Sequence, residues 1–130
     1  MKGRVMLQFQ LNFTQIIMRA INLTKNKELS CNVTEASSLF ARMKGLLGRQ
    51  GLAQGESLWI KPCNSIHTIG MQFPIDAVFL DTENTVVKVK NELSANRITG
   101  IYFRASSVLE FPAGRLKETN TEVGDRIEIA

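Results

Sequence analysis

The stretch "IDAVFLDTENTVVKVK", residues 75–90, decides the fold. Ile75 to Leu80 is the strongest strand signal in the chain, being β-branched, aromatic and unbroken. "DTEN" is a turn by composition. Val86 to Lys90 follows as the return strand of a hairpin. The alternation of Val87 and Val89 with Lys88 and Lys90 predicts one buried and one solvated face. Within the first strand Asp76 shares a face with Val78 and Leu80, while Ile75, Ala77 and Phe79 line the other.

Working outward, short strands recur on both sides. Upstream, Arg19 to Leu23 and Glu28 to Val33 read as a hairpin across "TKNK". Thr34 stands at a helix N-cap position and Glu35 suits the first turn. Ala36, Leu39, Phe40, Met43 and Leu47 then recur at helical spacing, and Gly48 is the expected stop. This predicts one packed helix over about 34–48. "QGLAQGES" is a loop, and Leu58 to Lys61 is a strand that carries the sole tryptophan, Trp59. Downstream, Ile101 to Arg104, Val108 to Phe111 and Arg126 to Ile129 read as strands, with a helical turn near Arg115 to Thr119. Many short strands with one helix predict a mainly β (α+β) fold, a compact antiparallel β sandwich or barrel.

The chain has 130 residues and a 44% apolar fraction, which suits one domain. A chain of this size buries roughly two thirds of the surface its unfolded form exposes. It therefore has no need of disulfides or metal to build a core. The boundaries read as a leader over 1–17 and a single β-rich domain over 18–130. Net charge is +4, from 16 basic and 12 acidic residues. Without Lys2 and Arg4 the balance is 14 against 12, and the remaining cations, such as Arg42, Lys44, Arg49, Lys88 and Lys90, are scattered. This argues against nucleic acid and against an anionic membrane surface as partners. No segment approaches the ~18 apolar residues of a membrane span. Cys31 and Cys63 form no C-x-x-C pair and read as reduced thiols of a cytoplasmic protein.

The leader has two readings. In one, Val5, Leu7, Phe9, Leu11 and Phe13 alternate with Gln8, Gln10, Asn12 and Thr14 as a strand. Residues 5–14 would then offer an uncharged edge for self-association. Gln8, Gln10 and Asn12 interrupt the apolar run that a signal peptide needs. In the other reading the native start is Met18, and the first 17 residues are an upstream extension.

"CNSIHTIGMQFPIDAVFLD", residues 63–81, holds the concentrated polar chemistry. Cys63 and the only histidine, His67, are four residues apart. On a helical turn that spacing brings side chains within about 6 Å; in a strand it separates them by about 13 Å. Both residue types bind zinc, but two ligands make no site without Cys31 or a carboxylate. The same pair could be nucleophile and base, with Asp76 or Asn64 orienting the imidazole. Asp76 on an apolar face must be hydrogen-bonded. It either accepts backbone N–H groups of a nearby turn or forms the polar floor of a pocket near His67 and Met71. Phosphate-loop and dinucleotide fingerprints are missing, so no cofactor and no metal is implied.

With "RMKGLLGR" upstream and "VLEFPAG" and "VGDRI" downstream, this block resembles the Domain of Unknown Function 192 family of bacteria and archaea. The likeness covers Met18 to Ile129, keeps the family's block order and favours Met18 as a family-like start. It implies a β-rich sandwich or barrel with a helix against it, and for function only an uncharacterised family. Members include soluble proteins and proteins with export or lipoprotein signals. Met71, Pro74 and Asp76 match the central block. Cys63, Asn64, Ser65 and His67 resemble one branch of it. For any site common to the family the resemblance points to Asp76, "RMKGLLGR" and "VLEFPAG" rather than to Cys63.

The expected function is a binding or accessory protein with no catalytic apparatus. A cleft edged by Trp59, Asn64, His67, Met71 and Asp76 would take a small molecule or an extended peptide. One alternative is a hydrolase-like or metal-assisted enzyme using Cys63 and His67, with Asp76 as a third candidate. The other is a self-association module built on the leader strand.

Overall fold

A computed structural model describes residues 17–130; the expected leader strand and its self-association lie outside the described residues. Seven strands form one curled sheet, a half-barrel: β1 (Met18–Asn22), β2 (Lys27–Ala36), β3 (Glu56–Ile60), β4 (Ile75–Leu80), β5 (Val86–Leu93), β6 (Ser107–Pro112) and β7 (Ile127–Ile129). Their order across the sheet is β5-β4-β6-β3-β2-β1-β7. Among the described residues two short helices, α1 (Leu39–Lys44) and α2 (Arg115–Glu118), sit in the connections. The curl brings the two ends together. Val86 N–H donates to the Asp125 carbonyl (2.8 Å), Gly124 N–H to the Val86 carbonyl (2.8 Å), and Thr85 bridges Arg126.

The central hairpin follows its sequence. All six residues of β4 are buried. Asp81 builds the turn, its Oδ1 accepting from the N–H groups of Glu83 and Thr85, both at 2.9 Å. Asn84 takes the left-handed conformation at φ 60°, which asparagine tolerates better than most residues. The return strand differs from expectation. A register shift between the partners of Phe79 and Leu80 inserts an extra residue in β5. Val87 therefore packs with one core and Val89 with the other, so the two valines do not share a face.

The sheet separates two cores. Inside the curl, Ala20, Leu29, Val78, Leu109, Phe111 and Leu116 pack together. On the outer face Ile60, Ile66, Met71, Ala77, Phe79 and Val108 form a second cluster. It is covered by the α1 region and by the connections 61–74 and 94–106. β4 and β6 are buried along their whole length because both of their faces meet a core.

The pairing is mainly antiparallel, as expected, with one exception: Asn32–Ala36 of β2 runs parallel to Glu56–Ile60 of β3. The intervening 37–55 connection carries α1 and is long enough for the crossover a parallel pair requires. Thr34 to Ala36 accordingly belong to β2, and the helix is shorter than predicted. Ser38, not Thr34, caps it, its hydroxyl accepting from Ala41 N–H at 3.0 Å. The chain turns away at Gly45, where φ is 48°. Finally, Ile101 to Arg104 is no strand. Its backbone bonds go to the 63–67 loop, as in Tyr102 N–H to the Asn64 carbonyl at 2.9 Å. Of these four residues Tyr102 packs on the outer core, edge-on to Phe79 with ring centroids 4.7 Å apart.

Candidate binding hollow on the outer face

Three of the quoted sequence blocks meet on the outer face. The segment after α1, the 62–67 loop and β6 enclose a hollow of about 290 Å³. "RMKGLLGR" supplies Arg42, Lys44, Leu46 and Leu47. The central block supplies Cys63, Asn64, His67 and Met71, and "VLEFPAG" supplies Glu110.

Glu110 is the unusual group. It stands opposite Ala77 on β4 and Leu58 on β3, so the strand alternation turns its side chain into the outer core. It is only 4% exposed, and its Oε2 finds no hydrogen-bond partner. Burial alone pushes its carboxyl up to about 7. Near neutral pH it is poised between a carboxylic acid that donates and a carboxylate that accepts. Arg42 approaches from α1. One terminal nitrogen donates to the Pro62 carbonyl at 3.2 Å, while its Nε is buried without a partner. One hollow thus contains an orphaned carboxylate oxygen and an orphaned guanidinium N–H, and most buried polar groups in proteins are satisfied.

Cys63 is half-buried, and its thiol donates to the Ser65 carbonyl at 3.1 Å. Burial pushes the thiol above its ordinary pKa, the Ser65 contact works the other way, and Glu110 adds to the upward shift. This is a resting thiol, unlike an activated thiolate. His67 is exposed, and its Nδ1 accepts from Ile69 N–H at 3.3 Å. Among the described residues Cys63 and His67 do not hydrogen-bond to each other, and no group of three His, Cys, Asp or Glu side chains gathers as a metal cluster would.

The cleft expected from sequence divides. Asn64, His67 and Met71 line this hollow, but Trp59 and Asp76 do not. Asp76 lies on the other face of β4 with no exposed surface. Its Oδ1 accepts from Glu92 N–H (2.8 Å), and its Oδ2 from the N–H groups of Gly114 (3.1 Å) and Leu116 (2.9 Å). It ties the irregular end of β5 and the start of α2 to β4, the turn-binding role considered from sequence. Trp59 packs on the inner core and lines a different hollow. The reason is the two-residue period: Trp59 and Asp76 face inward on their strands, and the 62–74 loop crosses the outer side.

Arg42 and Glu110 were not singled out by sequence reasoning. Arg42 reads as a dipole-matched helix cation. Glu110 did carry a signal, the one that marks Asp76: a lone charge in an apolar run, "SVLEFP". "VGDRI" also resolves into structure. Asp125 accepts from Asn22 Nδ2 at 2.8 Å and pairs with Lys25 at 3.1 Å.

The family model for Domain of Unknown Function 192, described as "Uncharacterized ACR", matches residues 21–129. The chain belongs to this family. A UPF0127 protein of Pyrococcus furiosus is 29% identical to it over 113 residues, covering 83% of this chain and 95% of the relative. A UPF0127 protein of Thermococcus sibiricus is 31% identical over 116 residues, covering 83% and 72% respectively. A protein of unknown function from Novosphingobium aromaticivorans superposes with a TM-score of 0.74 at 16% identity, over 87% of this chain and 84% of that one. It shares the curled sheet. The Domain of Unknown Function 192 chain described here contains no helix, among the described residues, long and apolar enough to cross a membrane.

Proposed function

We propose that this protein binds a small polar molecule in the outer-face hollow, with Glu110 at its floor and Arg42 on its wall. One observation carries the reading: two buried polar groups of complementary chemistry, Glu110 Oε2 and Arg42 Nε, stand unpartnered around the same space. Leaving such groups unsatisfied costs about 1–3 kcal/mol each, and a ligand that pairs with both recovers that cost. Such a ligand presents a hydroxyl or ammonium to Glu110 and a carboxylate or carbonyl to Arg42. Leu46, Ile60, Ile66 and Met71 supply an apolar lining for its body. A volume of about 290 Å³ suits a small molecule better than an extended peptide. The two unpaired cysteines, one of them exposed, fit a cytoplasmic setting. The raised pKa of Cys63 supports a binding role over an enzyme that uses it as nucleophile.

Titration of labelled protein with free amino acids and 2-hydroxy acids, followed by amide NMR, tests the proposal. Shifts confined to 62–67, 42–47 and β6, and their loss in Glu110→Gln, are the expected result. Probes that leave those amides unmoved, or that bind Glu110→Gln equally well, would overturn it.

A further inference from the structure

A second hollow opens on the inner side of the sheet, at one mouth of the curl. It measures about 620 Å³ and is walled by Trp59, Lys61, Thr82, Asn84, Ser37 and Ser107. Register explains why these residues meet. Trp59 lies opposite Leu109, and Ser107 opposite Leu80, so both side chains are directed to the inner face. The β4–β5 turn closes the rim.

Two polar atoms in this wall are buried without partners, Trp59 Nε1 and Ser107 Oγ. Ser107 is only 3% exposed. An indole N–H can only donate, so it needs an acceptor, and a serine hydroxyl can donate beside it. Lys61 adds a cation, with Nζ 4.0 Å from the centre of the Trp59 ring. Among the described residues no acidic side chain lines the hollow. Lys61 does pair with Glu35 at 3.2 Å, but both side chains are over a third exposed, and exposed pairs of this kind exchange partners at little cost.

We propose that this mouth is a second binding site, for a small organic oxyanion. Its carboxylate or phosphate oxygens accept from Trp59 Nε1 and Ser107 Oγ, and its charge is met by Lys61. The chemistry is that of charge-assisted acceptance by fixed donors, and the site lies across the sheet from the Glu110 hollow, with Pro62 lining both.

Trp59 is the only tryptophan, so its fluorescence reports this site directly. Purified full-length protein is titrated with glycerol 3-phosphate, citrate and inorganic phosphate, with glycerol as the uncharged control. A saturable emission change with at least one anion, and none with glycerol, is expected. Ser107→Ala and Lys61→Gln should each weaken it about tenfold, and Glu35→Gln, which releases Lys61, should tighten it several-fold. Lys61 is a surface residue, so its variant keeps the test valid even if Ser107→Ala folds poorly. Failure of all three anions to saturate, an equal response to glycerol, or wild-type affinity in Lys61→Gln would each overturn the proposal.

Discussion

Glu110 stands directly opposite Ala77 on the neighbouring strand, one residue along from Asp76. Two buried carboxyl groups thus lie side by side in the ladder yet face opposite sides of the sheet. Asp76 meets three backbone N–H groups. Glu110 Oε2 meets none. The same residue chemistry is consumed by the scaffold on one side and left available on the other.

Glu110 should make stability fall as pH rises. Its folded pKa of about 7 lies above the ordinary 4.5, so between those values the unfolded chain has lost a proton that the native protein keeps. Unfolding free energy should drop by roughly 3 kcal/mol across that window and level off above it. Urea unfolding of wild type from pH 4.5 to 8 checks this. Glu110→Gln should flatten the profile over the same interval.

Asp76→Ala should leave the N–H groups of Glu92, Gly114 and Leu116 without their acceptor. The expected loss is about 3–5 kcal/mol, measured by chemical denaturation. Asn is a milder change, because its single carbonyl oxygen still serves part of the set.

Alkylation should distinguish the two thiols. Cys31 is exposed, and Cys63 is half-buried with a raised pKa. Iodoacetamide at pH 7.5, followed by mass spectrometry, should modify Cys31 well before Cys63. Faster labelling of Cys63 would mean an activated thiolate and reopen the catalytic reading.

Asp125 predicts acid sensitivity. Burial opposes its ionisation, but Asn22, the Glu122 N–H and Lys25 outweigh burial and hold its pKa below the usual 3.8. Its stabilising contribution is complete above that value and lost as pH falls toward the lowered native pKa. Asn22→Ala removes one of these supports and should shift the acid-unfolding midpoint to higher pH, followed by circular dichroism.

Much of the fold was legible in the sequence, because local pattern and tertiary packing agree in those segments. Ile75–Leu80 forms as read, and the strands at Met18–Asn22, Ser107–Pro112 and Ile127–Ile129 lie within a residue or two of expectation. The parallel β2–β3 pair was not legible. Thr34 and Glu35 satisfy helix-start chemistry locally, and only pairing with Leu58 and Trp59 draws them into a strand. Ile101 to Arg104 alternates like a strand, but its hydrogen-bond partners lie in a loop more than thirty residues earlier, which no local pattern encodes. The site was half legible for the same reason. Adjacency along the chain grouped Trp59 and Asp76 with His67, whereas the sheet stands between them.

β6 divides its side chains between two interiors, Glu110 to one side and Leu109 and Phe111 to the other. The strand is a party wall, and neither room can be refurnished there without disturbing its neighbour. Under the proposed binding role, the outer hollow is more freely altered through Arg42 and Lys44 of α1 and through residues 63–67, which line that hollow and not the inner one.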